Sequence, residues 1–243
     1  MKKLLILFFL TGIVFAAAPT IPTVNLSLSA PSSPKELVST LNVMLLLTLL
    51  VLAPSIVLVT TSFVRLIVVF GFLRQALGTP QSPPTTLLVS LALVLTFFIM
   101  EPYAKKAYNN GIEPYMQNKI GYETAIKKSV KPFKMFMIKN TREEDLALFF
   151  RIRHLPNPQT INDVPLTILV PAFMISELKT AFEIGFLLFL PFLIIDMVVS
   201  SILMSLGMMM LPPVMISLPF KILLFILVDG WHLIVMGLVQ SFK

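Results

Sequence analysis

The sequence predicts an all-α membrane protein in which helical hairpins bracket a small extracytoplasmic helical domain. Three observations carry that expectation. The 243 residues are 56% hydrophobic and 13% charged, with a mean hydropathy of +0.90, whereas a soluble domain carries about a quarter charged residues. Twenty Phe and fourteen Met exceed what one water-soluble core of this length can hide. The charge is also unevenly spread, since residues 101–165 hold 18 of the 31 charged side chains.

Residues 1–18 have the three-part layout of a secretory signal peptide: basic Lys2 and Lys3, a short apolar run from Leu4 to Phe15, then Ala16, Ala17 and Ala18. The run is too short to span comfortably, because a crossing helix needs about 20 residues. Cleavage near Ala18 would take the formal charge from +7 to +5 and put the mature N-terminus outside the cytoplasm. Residues 19–34, rich in Pro, Ser and Thr, read as an extended linker.

A helix is expected to start at Ser33, Pro34 and Glu36, with Ser33 as cap and Glu36 completing the acidic side of a capping box. No charge occurs from Leu37 to Val64, enough for one span kinked at Pro54. A second charge-free interval runs from Gln75 to Met100 and opens with the turn Gly78 to Pro84. Residues 35–100 are therefore expected to form an N-terminal hairpin, with Arg65 and Arg74 flanking its bend. Positive charge beside a short loop favours the cytoplasmic side.

Residues 101–165 read as a water-exposed domain. Thr141 and Glu144 have the spacing of a capping box that opens a helix through Phe149. The segment carries 11 Lys and Arg, which a charge count alone would draw to the cytoplasm. That rule weakens beyond about 60 residues, and the signal peptide followed by two spans places the segment outside. Residues 166–243 form a C-terminal hairpin of apolar stretches 166–206 and 217–240, split by the methionine-rich turn Gly207 to Pro213. Ser217 is expected to cap the last helix.

Six charges lie inside the apolar C-terminal third: Glu177, Lys179, Glu183, Asp196, Lys221 and Asp229. Each costs about 2.5–3.5 kcal/mol at a bilayer centre, so they must face one another, a partner subunit or water, unless they cap helices outside hydrocarbon. Lys179 and Glu183 can pair at i, i+4, and Asp229 and His232 at i, i+3. Glu177 and Lys221 are expected to bridge the two arms of the C-terminal hairpin, within or between subunits. Met208, Met209 and Met210 put flexible apolar side chains on the intervening turn, as a greasy interfacial loop or as an adaptable seal.

Chemistry is scarce. The chain has no Cys and two His, which excludes disulfides and thiolate sites and argues against a His-rich metal centre. Neither a phosphate-cradling Gly loop nor a zinc-protease helix motif is present, and no cofactor is expected. Asp196 and Asp229 lack the Gly-x-Gly-Asp setting of an intramembrane aspartyl dyad. Lys127, Lys128, Lys131, Lys134 and Lys139 read as a solvated face rather than a nucleic-acid contact, since only Phe133 and Phe136 lie among them. Nothing points to an enzyme.

Several segments resemble one family. Thr60 to Arg65, Leu73 to Thr79 and Pro83-Pro84 are similar to the first hairpin of the FliP family, and Arg142 to Leu146 to its extracytoplasmic segment. The strongest matches are Val170 to Phe182, Ile195 to Met197, Gly207 to Pro213, Leu218 to Lys221 and Val228 to Trp231. They cover most of residues 40–240 in the family's order, while 19–34 and much of 101–140 match no motif. The resemblance implies a core subunit of the flagellar type III export gate in the bacterial inner membrane and flagellar basal body. It implies a homo-oligomeric ring, taken to be a pentamer, with FliQ and FliR, with FlhA and FlhB at its cytoplasmic side, conducting unfolded flagellar subunits. Met208, Met209 and Met210 correspond to the family's channel gasket. It also implies hairpins raised within a protein cone rather than conventional spans, with Glu177, Asp196 and Lys221 in protein–protein contacts. A virulence-type export gate subunit and an ion-coupled small-solute transporter are the alternatives, though a transporter would show an inverted repeat and none is visible.

Overall fold

The computed structural model describes residues 34–242 apart from 157, 159, 209 and 210. The signal peptide and nearly all of the linker expected from the sequence, with the Ser33 cap, lie outside the described residues. Every regular element among them is helical. Helix α1 (Pro34–Val59) opens on a proline, consistent with the tolerance of a first turn for a missing N–H. The chain falls into two compact units divided between residues 49 and 50, within this helix. The first contributes only an apolar helical stretch, with Leu45, Leu46 and Leu47 exposed. Everything that follows concerns the second.

Helix α1 stops at Val59 because Thr60 and Thr61 turn their hydroxyls back onto it. Thr60 Oγ1 donates to the Ile56 carbonyl at 2.8 Å and Thr61 Oγ1 to that of Leu58 at 3.2 Å. The single span expected from Leu37 to Val64 is thus cut short, and a separate helix α2 (Phe63–Ala76) follows. This corrects the hairpin geometry: Arg65 and Arg74 do not flank a bend but lie on α2, with apolar residues between them sustaining the helix. The bend comes after Ala76. Gly78 takes φ +77°, and the Gly78 and Thr79 amides donate to the Gln75 and Arg74 carbonyls at 3.0 and 3.3 Å. That is a Schellman stop, in which only glycine holds the left-handed residue without strain. Arg74 secures the bend by donating to Thr85 Oγ1 at 2.9 Å.

Helix α3 (Thr85–Ala107) then runs through Met100 without a break, passes into a π-helical turn (Tyr108–Ile112) and ends in the short α4 (Glu113–Met116). Helix α5 (Tyr122–Lys139) folds back against α3, and α6 (Glu143–Ile152) crosses onto α7 (Leu166–Ser205). Helix α7 is 40 residues long, about 60 Å at 1.5 Å per residue and twice a hydrocarbon layer of about 30 Å. A second Schellman stop ends it. Gly207 sits at φ +74°, and the Gly207 and Met208 amides donate to the Met204 and Leu203 carbonyls at 3.1 and 3.0 Å. Helix α8 (Pro213–Leu227) and α9 (Gly230–Gln240) follow. The expected single stretch 217–240 is broken at Asp229, where φ is +50° and the two helices bend by 64°. The Gly230 backbone packs onto Phe225, with a Cβ there falling 2.2 Å from the ring.

Among the described residues, three helical stretches are long and apolar enough to cross a membrane, or four if α8 and α9 count as one bent span. The most extensive packing joins α2 to α7. Small residues on α7 allow it: Ala172, Ser176 and Ala181 are fully buried, and a Cβ at Gly185 would lie 2.5 Å from the Phe72 ring. Phe136 from α5 and Phe150 from α6 enter the same core as Leu66, Val69, Phe70 and Phe173, so the polar middle of the chain and the apolar helices share one interior.

Gly185→Val is expected to overpack the α2–α7 contact and destabilise the protein by about 1–3 kcal/mol. Adding Phe72→Ala empties the space the new side chain needs, so the two changes should be less than additive in thermal unfolding of detergent-solubilised protein.

Candidate functional site: a buried charge network around helix α7

Arg65 enters the core because it sits one face of α2 away from solvent, in line with Leu66, Val69 and Phe70. Its side chain is 3% exposed, and its partner Glu177 on α7 is fully buried. Arg65 Nε donates to Glu177 Oε2 at 2.8 Å while the terminal guanidinium nitrogen meets Oε1, a bidentate fork that matches the planar guanidinium to the carboxylate. The other terminal nitrogen donates to the Ser241 carbonyl at 3.0 Å and to Ser241 Oγ at 2.8 Å. The guanidinium lies 3.8 Å over the ring of Phe242, a cation–π contact in a desolvated setting. Phe242 in turn stacks on Phe136 at 5.9 Å. Glu177 therefore pairs with Arg65 rather than with Lys221. The sequence pattern pointed to a partner in the adjacent hairpin arm, whereas the fold lays α2 against that face of α7.

A second group fixes α6. The Arg142 amide donates to Ser176 Oγ at 3.0 Å, and Ser176 Oγ donates to Asp145 Oδ2 at 2.6 Å. Arg142 precedes the first residue of α6 and Asp145 is its third, so this is the return half of a capping box, relayed through a serine of another helix. The box expected from Thr141 and Glu144 does not form. Thr141 Oγ1 donates to the Met137 carbonyl at 2.7 Å, which also accepts the Asn140 amide at 3.1 Å, in the last turn of α5 where carbonyls lack their regular i+4 partner. The Arg142 guanidinium reaches Glu183 Oε2 at 2.6 Å and Thr180 Oγ1 at 3.3 Å. Glu183 thus takes Arg142 rather than Lys179, which is exposed.

A third group joins α8 to α7 and α2. Lys221, 3% exposed, donates to Asp196 Oδ2 at 2.7 Å and to the Ala76 carbonyl at 3.3 Å. Its ammonium thereby occupies the C-terminus of α2, where a helix dipole favours a cation. Ser217 does not cap α8, which starts four residues earlier at Pro213; its hydroxyl donates to Asp196 Oδ1 at 2.5 Å. Asp229 and His232 are both exposed and form no pair, since Asp229 is drawn into the left-handed bend between α8 and α9. Met208 is 41% exposed and closes the stop that ends α7, while Met209 and Met210 lie outside the described residues.

Ser176, Asp145, Arg142, Ser241 and Phe242 were not singled out in the sequence as site residues. Arg142 and Asp145 sit among neighbouring charges at a helix start, a visible signal for a cap. Nothing in the sequence pattern connects Ser241 to Arg65, 176 positions away. Among the described residues, no group of three His, Asp or Glu side chains could hold a metal ion.

Glu177→Ala leaves a guanidinium buried beside its lost partner and is expected to cost about 3–5 kcal/mol. Exchanging Glu177→Lys with Lys221→Glu should rescue neither single variant, because the two residues have different partners. Ser176→Ala strands the Asp145 carboxylate and the Arg142 amide, an expected loss of about 1–3 kcal/mol. Glu183→Ala, at a half-exposed position, should change thermal unfolding little.

Comparison with known proteins places these helices in a family. The FliP family model matches residues 46–238, which contain Arg65, Arg142, Glu177, Asp196 and Lys221. A flagellar biosynthetic protein FliP of Bacillus subtilis is 54% identical over 217 residues, covering 89% of this chain and 98% of that protein. The protein of the same name from Caulobacter vibrioides is 51% identical over 232 residues, covering 96% and 86%. That of Aquifex aeolicus is 46% identical over 244 residues, covering 100% and 99%. With both the family model and these relatives running through nearly all of its helices, the chain belongs to the FliP family.

Proposed function

We propose that this chain is a core subunit of the flagellar type III export gate and forms part of the channel for unfolded flagellar subunits. The observation that carries the reading is its near full-length similarity to proteins named for flagellar biosynthesis. The structure supports assembly into something larger. Phe97, Phe186, Leu187 and Ile194 are among many large apolar side chains left more than 60% exposed, far beyond the scattered apolar surface of a soluble monomer. Lipid and neighbouring subunits are the two media that cover such faces. A homo-oligomeric ring, taken as a pentamer in the inner membrane with FliQ, FliR, FlhA and FlhB beside it, accounts for a chain whose helices have more apolar faces than its own core uses. Residues 101–165 would face the extracytoplasmic side.

In this reading the buried network makes a rigid unit that ring assembly does not deform, and the methionine turn seals the channel. Two features suit Met208 to that role. It follows a fixed Schellman stop, so its position along α7 is set, and its side chain is unbranched and adaptable. The subunit guides and seals but catalyses nothing, so the energy for transport would come from other components.

Deletion of the gene is expected to abolish both motility and release of hook and filament proteins, with both restored by a plasmid copy. Normal secretion in the deletion strain would overturn the reading. Replacing Met208, Met209 and Met210 with Gly should leave assembly intact and make cells leak small ions; unchanged permeability would remove the seal from the proposal.

A further inference from the structure

Helix α3 and α5 meet at an unusually close point. A Cβ on Gly111 would lie 2.1 Å from Ser129 Oγ and 2.7 Å from the Ala125 carbonyl, so only glycine permits the approach. Gly111 belongs to the π-helical turn, whose extra residue per turn shifts the side chains before and after it. Beside this contact the two helices enclose an open cavity of about 480 Å³. Its walls are two rows with the same helical spacing: Tyr103, Lys106 and Asn110 on one side, and Lys128, Lys131 and Met135 on the other.

The lining is chemically one-sided. It holds three lysines, a phenol and a carboxamide, and no carboxylate. Lys105, on the same helix as Lys106, pairs with Glu101 at 2.5 Å and lies outside the cavity lining. Lys106, Lys128 and Lys131 have no ion pair or hydrogen bond among the described residues. Three ammonium groups held around one concavity repel one another, and a compact multivalent anion relieves that repulsion while using the Tyr103 hydroxyl and Asn110 amide as further donors. Position adds a second argument. The apolar run of α3 ends at Met100, with Phe97 and Phe98 exposed at 74% and 63%. Tyr103 and Lys106 follow within about 9 Å along the helix axis, the depth at which a phosphate layer meets aromatic and basic side chains.

We infer that this cavity binds a phosphate-bearing anion, held by Lys106, Lys128 and Lys131 with Tyr103 and Asn110. The phosphate is supplied either by the headgroup of an anionic phospholipid or by a soluble phosphate compound. The site is separate from the buried charge network and does not depend on the channel reading.

The test is native mass spectrometry of the full chain in neutral detergent. One arm adds phosphatidylglycerol against phosphatidylcholine of the same acyl chains, and the other adds inorganic pyrophosphate. The lipid source predicts a preference for phosphatidylglycerol of about tenfold, and the soluble source predicts pyrophosphate binding without that preference. Either must be lost in the triple variant Lys106→Gln, Lys128→Gln, Lys131→Gln. Either must be kept in Lys119→Gln, Lys127→Gln, Lys139→Gln, which removes equal charge elsewhere in the segment. On the unsubstituted chain, the bound anion should slow acetylation of Lys106, Lys128 and Lys131 but not of Lys127. Binding of neither probe, or equal loss in both triple variants, or no selective protection, overturns the site.

Discussion

Burying a guanidinium between apolar helices is tolerable only when its donors are engaged, and Arg65 meets that condition with atoms from two distant segments. Glu177 on α7 takes the fork, and Ser241 beyond α9 takes the remaining nitrogen, so that four hydrogen bonds leave Arg65. The direction of packing follows from this. Helix α2 must lie against α7 in the register that brings residue 65 to residue 177, and the small residues Ala172, Ser176, Ala181 and Gly185 let it come close enough. A buried pair of this kind contributes less to net stability than its geometry suggests, because desolvation offsets most of the attraction. Its effect is selective: any other register leaves a charge unpaired in an apolar interior.

The other polar groups build outward from the same helix. Ser176, next to Glu177, completes the cap of α6, and Glu183 holds Arg142 at the edge. Asp196, about five turns beyond Glu177, receives Lys221 and Ser217 from α8, while Lys221 also closes the end of α2. Helix α7 therefore works as a spine along which α2, α6 and α8 are each located by a charged or hydroxyl contact. Apolar packing alone is non-directional and would leave these helices free to slide.

Much of this was legible in the sequence, and the reasons for the rest are physical. The apolar stretches and the glycine and proline turns followed from local composition, and the family resemblance from matched motifs. Of the six charges in the C-terminal third, Glu177, Glu183, Asp196 and Lys221 form ion pairs with other elements, while Lys179 and Asp229 are exposed. Their pairings could not be read, because i, i+4 spacing detects neighbours on one helix, whereas Glu177 and Glu183 choose partners from other elements. Helix α2 was hidden for a related reason. Arg65 and Arg74 suggested the flanks of a loop, since a lone arginine in an apolar run is read as a solvent marker until the carboxylate that neutralises it is placed. Ser217 looked like a cap and proved to be a buried crosslink, because a hydroxyl suits either task and only the proline pair four residues earlier decides where the helix begins.

The involvement of Ser241 and Phe242 in the Arg65 site bears on how such a chain comes to be built. Residue 65 leaves the ribosome and must be accommodated long before residue 241 exists, and chains synthesised from the N-terminus tend to fold in that order. Until the last helix arrives, the guanidinium has at most its Glu177 fork, with one nitrogen facing hydrocarbon or water and no aromatic ring beneath it. The arrival of Ser241 and Phe242 engages that nitrogen and covers the face of the guanidinium, so the Arg65 site closes only after most of the helices that surround it have been made.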